Sequence, residues 1–240
     1  MKRRLQIAGT LAGLMLAGLC NGAVNGTVTA RVEAFPQEPV SQDGSAGDLQ
    51  LAMTTTLDAQ RSVGENSAVA LSVFGKFHPQ ADRDHTLDFR EAWFAHYGDS
   101  TEWRVGLVTE RWGTLEAFNL VDVINPRDAV EDFQGGVRRG VPAVSATWLG
   151  DAATVTAWWL PYSRERRLAR GEDRYRTLPL PLAEAQFEDG QRHDSLALRA
   201  STILGDTEVA VSHFYGHERM PRFEPVIDER GIPVALTPHY

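Results

Sequence analysis

Between Glu102 and Arg139 the chain carries Arg104, Arg111, Arg127, Arg138 and Arg139 together with Glu102, Glu110, Asp122 and Asp128. Charges of both signs facing each other across a wet space set a transverse field, which sorts passing solutes by sign and size without transforming them. At the centre of this stretch lies Asn125-Pro126-Arg127-Asp128. Asn bonds its own backbone, Pro fixes φ, and Asp caps the next turn of chain. Two readings stay open. In one, residues 113–139 fold inward and narrow or plug a lumen. In the other they form a structural turn that fixes the register of the flanking strands.

Reactive chemistry finds little footing. His213 and His217 have a spacing that shares a zinc on a helix. Their context is a strand, where four residues span about 13 Å, so no metal site is read. No Gly-rich phosphate loop and no G-x-S-x-G turn occurs, and no Ser-His or Asp-His grouping stands out. The expectation is no catalytic residue, no cofactor and no enzyme. Arg164, Arg166, Arg167, Arg170, Arg174 and Arg176 form a basic cluster. It reads either as a solvated loop or as a contact for lipopolysaccharide phosphates or an anion-attracting vestibule.

The elements that must position these groups are strands. Period-two alternation marks Thr27 to Phe35, Leu49 to Leu57, Ala68 to Phe77, Leu87 to Tyr97, Glu102 to Val108, Val141 to Leu149, Thr154 to Tyr162, Ser195 to Leu204 and Glu208 to Tyr215. Val28, Ala30 and Val32 share a face, as do Val69, Leu71, Val73 and Phe77. In the fourth strand Leu87, Phe89, Trp93 and Tyr97 share one face and Asp88, Arg90 and His96 the other, which leaves Glu91 on the apolar side. Gly98-Asp99-Ser100, Gly150-Asp151 and Gly205-Asp206 are short turns. They alternate with long polar loops, as in outer-membrane barrels, with Gly113 to Arg139 reading as a break in the regularity. Trp103, Trp148, Trp158, Trp159, Tyr97, Tyr162 and Tyr215 sit near strand ends, where an interfacial aromatic girdle belongs.

The chain opens with Lys2, Arg3 and Arg4, a short apolar core from Leu5 to Leu19, then Gly22 and Ala23. This is the layout of a cleaved secretory signal over residues 1–22, cut after Gly22 or Ala23. Cys20 follows Leu19, the wrong size for a lipoprotein signal. Losing the three basic residues at positions 2 to 4 takes the formal charge from −8 to −11, which excludes a nucleic-acid partner. Residues 23–240 then contain no cysteine, hence no disulfide and no thiolate.

Arg104, Gly106, Trp112, Gly113, Asp122, Val123, Asn125, Pro126, Asp128, Gly140, Val141, Pro142 and Ala143 stand in an order that resembles a family of poorly characterised bacterial outer-membrane porin-like β-barrels. There R-G-x-x-x-x-W-G leads to D-V-x-N-P-x-D and then to a G-V-P-A strand start. The likeness covers about Arg90 to Pro161. It departs at Val108-Thr109, where relatives carry a polar Gln, and in length, since members are longer and have more strands. The resemblance implies an all-β, antiparallel transmembrane barrel over residues 23–240, incomplete in this chain, with 113–139 as its inward-folded non-strand segment. Ile232, Val234 and Leu236 before an aromatic terminus suggest a last barrel strand, against which Pro233 and Pro238 each remove a ladder donor.

The functional expectation is an outer-membrane channel of a Gram-negative cell that passes or exports small solutes. Its lumen candidates are the nine charged residues named first, and its turn residues are Trp112, Gly113, Asn125 and Pro126. Expected partners are outer-membrane lipids and lipopolysaccharide, the barrel-assembly machinery and an envelope export complex. The competing readings are a non-conducting barrel docked to a lipid or polymer export assembly, and a soluble periplasmic β-sandwich binding protein.

Overall fold

The computed structural model describes residues 7–11, 23–34, 49–77, 85–112, 121–132, 136–170 and 176–240. Ten strands make one antiparallel sheet in strict chain order: β1 (Ile7–Leu11), β2 (Ala23–Ala34), β3 (Leu49–Ser62), β4 (Ser67–Phe77), β5 (Thr86–Tyr97), β6 (Thr101–Val108), β7 (Val141–Leu149), β8 (Thr154–Leu160), β9 (Ser195–Leu204) and β10 (Thr207–Tyr215). β1 lies within the segment read as a cleaved leader. All nine strands expected from alternation are present as β2 to β10. Among the described residues there is no helix, and β1 and β10 are the sheet's two unpaired edges.

From β2 to β10 the connections alternate. Short turns follow β3, β5, β7 and β9, while the links after β2, β4, β6 and β8 are longer. In an antiparallel sheet this puts the short turns of β2 to β10 at one end and their long links at the other. The stretch between β6 and β7, which reads in sequence as an irregularity, falls where a long loop is due.

The pairing registers separate two faces. Val24, Val28, Ala30 and Val32 of β2 sit beside Ala59, Thr55, Met53 and Leu51 of β3, and Phe77, Val73 and Leu71 of β4 continue that outer face. Its side chains are exposed: Leu87 at 75%, Phe89 at 51%, Trp103 at 53% and Leu198 at 49%. The opposite, inner face carries Thr27, Thr29 and Arg31 of β2, Thr54, Thr56 and Asp58 of β3, and Ser72 and Lys76 of β4. Thr54, Lys76, Asp88 and Ser145 on this face are buried.

β5 breaks the sequence expectation at one residue. Ser72 of β4 faces Glu91 while Val73 faces Phe89, so Arg90 is the unpaired extra residue of a β-bulge. Beyond it the parity flips. Glu91, Trp93 and Ala95 turn to the inner face and Ala92, Phe94 and His96 to the outer one. The carboxylate that alternation left among apolar side chains thus stands among polar ones, and Trp93 leaves the apolar face expected for it. Two glycines make room for this geometry. A Cβ on Gly140 would overlap the Arg90 carbonyl oxygen, and one on Gly106, at φ +134°, would overlap the Ala92 carbonyl oxygen.

The aromatic girdle is also revised. Trp103, Trp148, Trp159 and Tyr215 are exposed on the outer face, but Trp158 is buried on the inner one. Tyr162 is half-buried and its hydroxyl donates to Gln191 Oε1 at 2.6 Å. The closing stretch does not join the wall. β11 (Arg222–Ile227) and β12 (Pro233–His239) form a separate antiparallel pair. Their backbones meet the loop before β9 instead, through bridges Leu182–Leu236 and Gln186–His239.

Candidate functional site

Residues 121–132 and 136–140 of the β6–β7 link pack on the inner face of the sheet. Ile124 is fully buried among Val108, Trp112, Val141, Ala143, Trp158, Leu160 and Ala197. Trp112 meets Trp158 edge-on at 5.1 Å between ring centroids. These apolar side chains come from the long-loop ends of β6 to β9 and make an anchorage for a loop, not the core of a two-layer domain. Gly113 lies outside the described residues.

Asn125, 1% exposed, holds the link in place. Its Oδ1 accepts from the Glu110 backbone N–H at 2.7 Å. Its Nδ2 donates to the Val108 carbonyl at 2.8 Å and to the Arg139 carbonyl at 2.9 Å. One amide therefore ties the end of β6 to the residues leading into β7, where backbone pairing between the two strands stops. Pro126 beside it is fully buried. Asp128, 1% exposed, accepts from the N–H groups of Val130 and Glu131, both at 3.1 Å, and caps the turn. These are the contacts of a structural turn.

The charges form four groups. Arg104 bridges Glu102 and Glu110, each at 2.8 Å. Asp122 takes the guanidinium of Arg138, with Arg127 at 3.8 Å. Asp128 faces Arg167 at 3.4 Å. Arg139 leaves the expected set and pairs with Asp88 of β5 at 3.3 Å, where Arg164 joins it at 2.6 Å. Arg111 is exposed and stands apart from these groups. Eight of the nine charged residues singled out in sequence are therefore engaged in pairs on or beside the inner face.

Sequence reasoning missed Asp88, Arg164, Arg167, Lys76, Glu131 and Arg219 as members of this assembly. Lys76 Nζ donates to the Val130 carbonyl at 3.3 Å. Arg219 is nearly buried and donates to the carbonyls of Val123 at 3.2 Å and Ile124 at 2.9 Å, clamping the link from its far side. Burial lowers the pKa of that guanidinium to about 10. The polar parity of Asp88 and Lys76 on their strands was a usable signal. The partners were not, because Asp88 and Arg164 lie 76 residues apart.

A serine–histidine contact also emerges. His217 Nδ1 lies 2.9 Å from Ser163 Oγ and its Nε2 lies 2.6 Å from the Glu188 carbonyl. The carbonyl can only accept, so Nε2 carries the proton and Ser163 donates to Nδ1. Ser163 is 1% exposed and offers no face to a substrate; the contact fastens two loops. His213, on the exposed strand β10, is elsewhere.

Glu131 gives a pH signature. Burial raises its pKa above the ordinary 4.5, against the pull of Arg31, Arg90 and Lys76. The folded chain then keeps this proton to a higher pH than the unfolded chain. Stability contributed by the group is present below 4.5 and falls as pH rises through the raised folded value. Glu131→Gln is expected to flatten that descent and to leave the protein more stable than wild type at neutral pH. Urea midpoints measured from pH 4 to 8 check it, and an unchanged slope would refute the assignment.

Taken together, the sheet supplies a polar face and the β6–β7 link supplies charges that are held against it. Comparison with protein families, with characterised proteins and with solved structures finds no match for this chain.

Proposed function

We propose that this chain forms the wall of an outer-membrane, porin-like β-barrel in a Gram-negative envelope, passing or exporting small solutes beside the charged 121–140 link. One observation carries the reading: the faces of the sheet are inverted relative to a water-soluble protein. Leu, Val, Phe and Trp side chains stand exposed on the outer face, while Lys76, Asp88, Arg104 and Glu110 lie on or beside the sheltered one. Such a face suits hydrocarbon, where the backbone must saturate its own hydrogen bonds. The alternation of short turns and long links from β2 to β10, and β2 to β5 at 11 to 14 residues each, agree with strands that cross a bilayer at a tilt. A soluble sandwich needs a second large sheet over the apolar face. Among the described residues the other sheet has two strands, of which β11 is exposed throughout and β12 is only partly covered.

Outer-membrane lipids and lipopolysaccharide are the partners this reading calls for, with the barrel-assembly machinery needed for insertion. A second reading, a non-conducting barrel docked to an export assembly, draws on the mutual pairing of the link's charges, which suits a closed bore. Neither requires catalysis or a cofactor.

A matched pair of variants tests the membrane reading. Leu71→Arg places a charge on the outer face in mid-strand, which costs about 2–4 kcal/mol if that face meets lipid. Ala70→Arg places it on the inner face, where polar groups already stand. The expected result is loss of carbonate-resistant membrane protein for Leu71→Arg and retention for Ala70→Arg. Equal behaviour of the two variants, or wild type released by carbonate, would remove the membrane reading. Stepwise current through planar bilayers then separates the channel from the non-conducting barrel.

A further inference from the structure

Where residues 163–170 pass the approach to β7, a partly open cavity of about 400 Å³ is lined by Arg139, Arg166, Arg167 and Arg170 together with Glu165 and Glu184. Four guanidinium groups share this lining with two carboxylates. Three of the arginines have carboxylate partners. Arg139 reaches Asp88 at 3.3 Å, Arg167 reaches Asp128 at 3.4 Å, and Arg170 reaches Glu165 at 3.9 Å. Arg166 differs. Among the described residues no carboxylate lies within ion-pair distance of it, and its Nη1 meets the Met220 sulfur at 3.6 Å, a weak acceptor. Its backbone is pinned, since its N–H donates to the Tyr240 hydroxyl at 2.9 Å. Burial, and then the neighbouring charge of Arg127, lower its pKa.

A half-buried guanidinium beside another cation calls for an anion to offset it. The planar fork of arginine fits two oxygens of one oxyanion, and several forks around one cavity favour phosphate. The volume falls within the range of about 300–1,000 Å³ that holds small organic ligands. We propose that this cavity binds a phosphate-bearing ligand, with Arg166 gripping the phosphate group. The phosphate has two sources in an outer membrane, a soluble solute on its way through the barrel or a lipopolysaccharide headgroup at the long-loop end. The assignment of a soluble solute rests on the channel reading above; the chemistry of the cavity does not.

Calorimetric titration of the full chain in detergent micelles, with glucose 6-phosphate and with glucose, tests the site. Phosphorus analysis of lipopolysaccharide retained through purification covers the lipid source. Glucose 6-phosphate is expected to bind and glucose not, with Arg166→Gln weakening the binding by about tenfold or more. Should Arg166→Gln fail to fold, Arg170→Gln, at an exposed position, is expected to weaken it by about threefold. Lipopolysaccharide phosphate held by wild type and lost by Arg166→Gln would support the site with a lipid as its occupant. The site is overturned if wild type holds neither phosphate, or if the variants hold them as tightly as wild type. Conductance without binding would leave the channel and remove the site, and binding without conductance would do the reverse.

Discussion

Asp88→Ala is expected to destabilise the protein by about 3–5 kcal/mol, the range found when one partner is removed from a buried ion pair. Asp88 is buried on the inner face of β5 and faces Arg139 and Arg164 at once. Arg164 also donates to the Gly140 carbonyl at 2.7 Å, and Arg139 to the Glu165 carbonyl at 2.9 Å. One carboxylate therefore gathers the approach to β7 and the loop beyond β8 onto the wall. Its removal leaves two sheltered cations without an offsetting charge. Asp88→Asn keeps the shape and deletes the charge, so it should recover only the part of the loss that is packing. Urea midpoints of the chain refolded in detergent measure both. If the protein conducts, the same variants should shift the reversal potential toward anions. A loss below about 1 kcal/mol for Asp88→Ala, the range of an exposed ion pair, would mean that water reaches this site freely and that the three-way contact holds nothing together.

Asn125→Ala comes next, at about 3 kcal/mol. Three hydrogen bonds disappear together, and each buried group left without a partner costs about 1–3 kcal/mol; the lower end applies, since the Glu110 end is only partly sheltered. Asn125→Asp separates the donor from the acceptor role. It keeps an oxygen for the Glu110 N–H but turns lone pairs toward the Val108 and Arg139 carbonyls, which accept from Nδ2 in wild type. It should therefore lose at least as much as alanine. A conservative loop residue would behave otherwise: a change under about 0.5 kcal/mol for both variants, typical of an unconstrained surface position, would show that the link rests on the wall without being fastened to it. If the protein conducts, as proposed, the fastened link predicts a noisier current for Asn125→Ala than for wild type.

The two positions were not equally visible in the sequence. Asn125 stands in a motif whose turn chemistry is local, so its importance could be read, although its partners lie 14 to 17 residues away. Asp88 showed only its parity, on the polar side of a strand. Nothing within β5 points to Arg139 or Arg164, which come 51 and 76 residues later. The same divide explains Trp93 and Glu91. Alternation places them correctly only when the extra residue at Arg90 is known. That bulge exists because β5 pairs with β4 in a register that slips by one, beside glycines at 106 and 140 that let the backbones approach. Trp158 and Trp159 are neighbours in sequence with opposite fates, and their strand's register, not their type, decides which one meets the β6–β7 link.

By itself the sequence determined where β2 to β10 run, which side chains of β2 to β4 share a face, and three of the four short links among them. A two-residue period and a Gly-Asp turn are local properties that a stretch of ten residues already contains. The tertiary structure alone decided where the charges end up. Ion-pair partners are set by the order and register of strands, which bring together residues far apart along the chain. It also decided which face of the sheet is covered, because the described part of the β6–β7 link packs on the charged face and leaves the apolar one exposed.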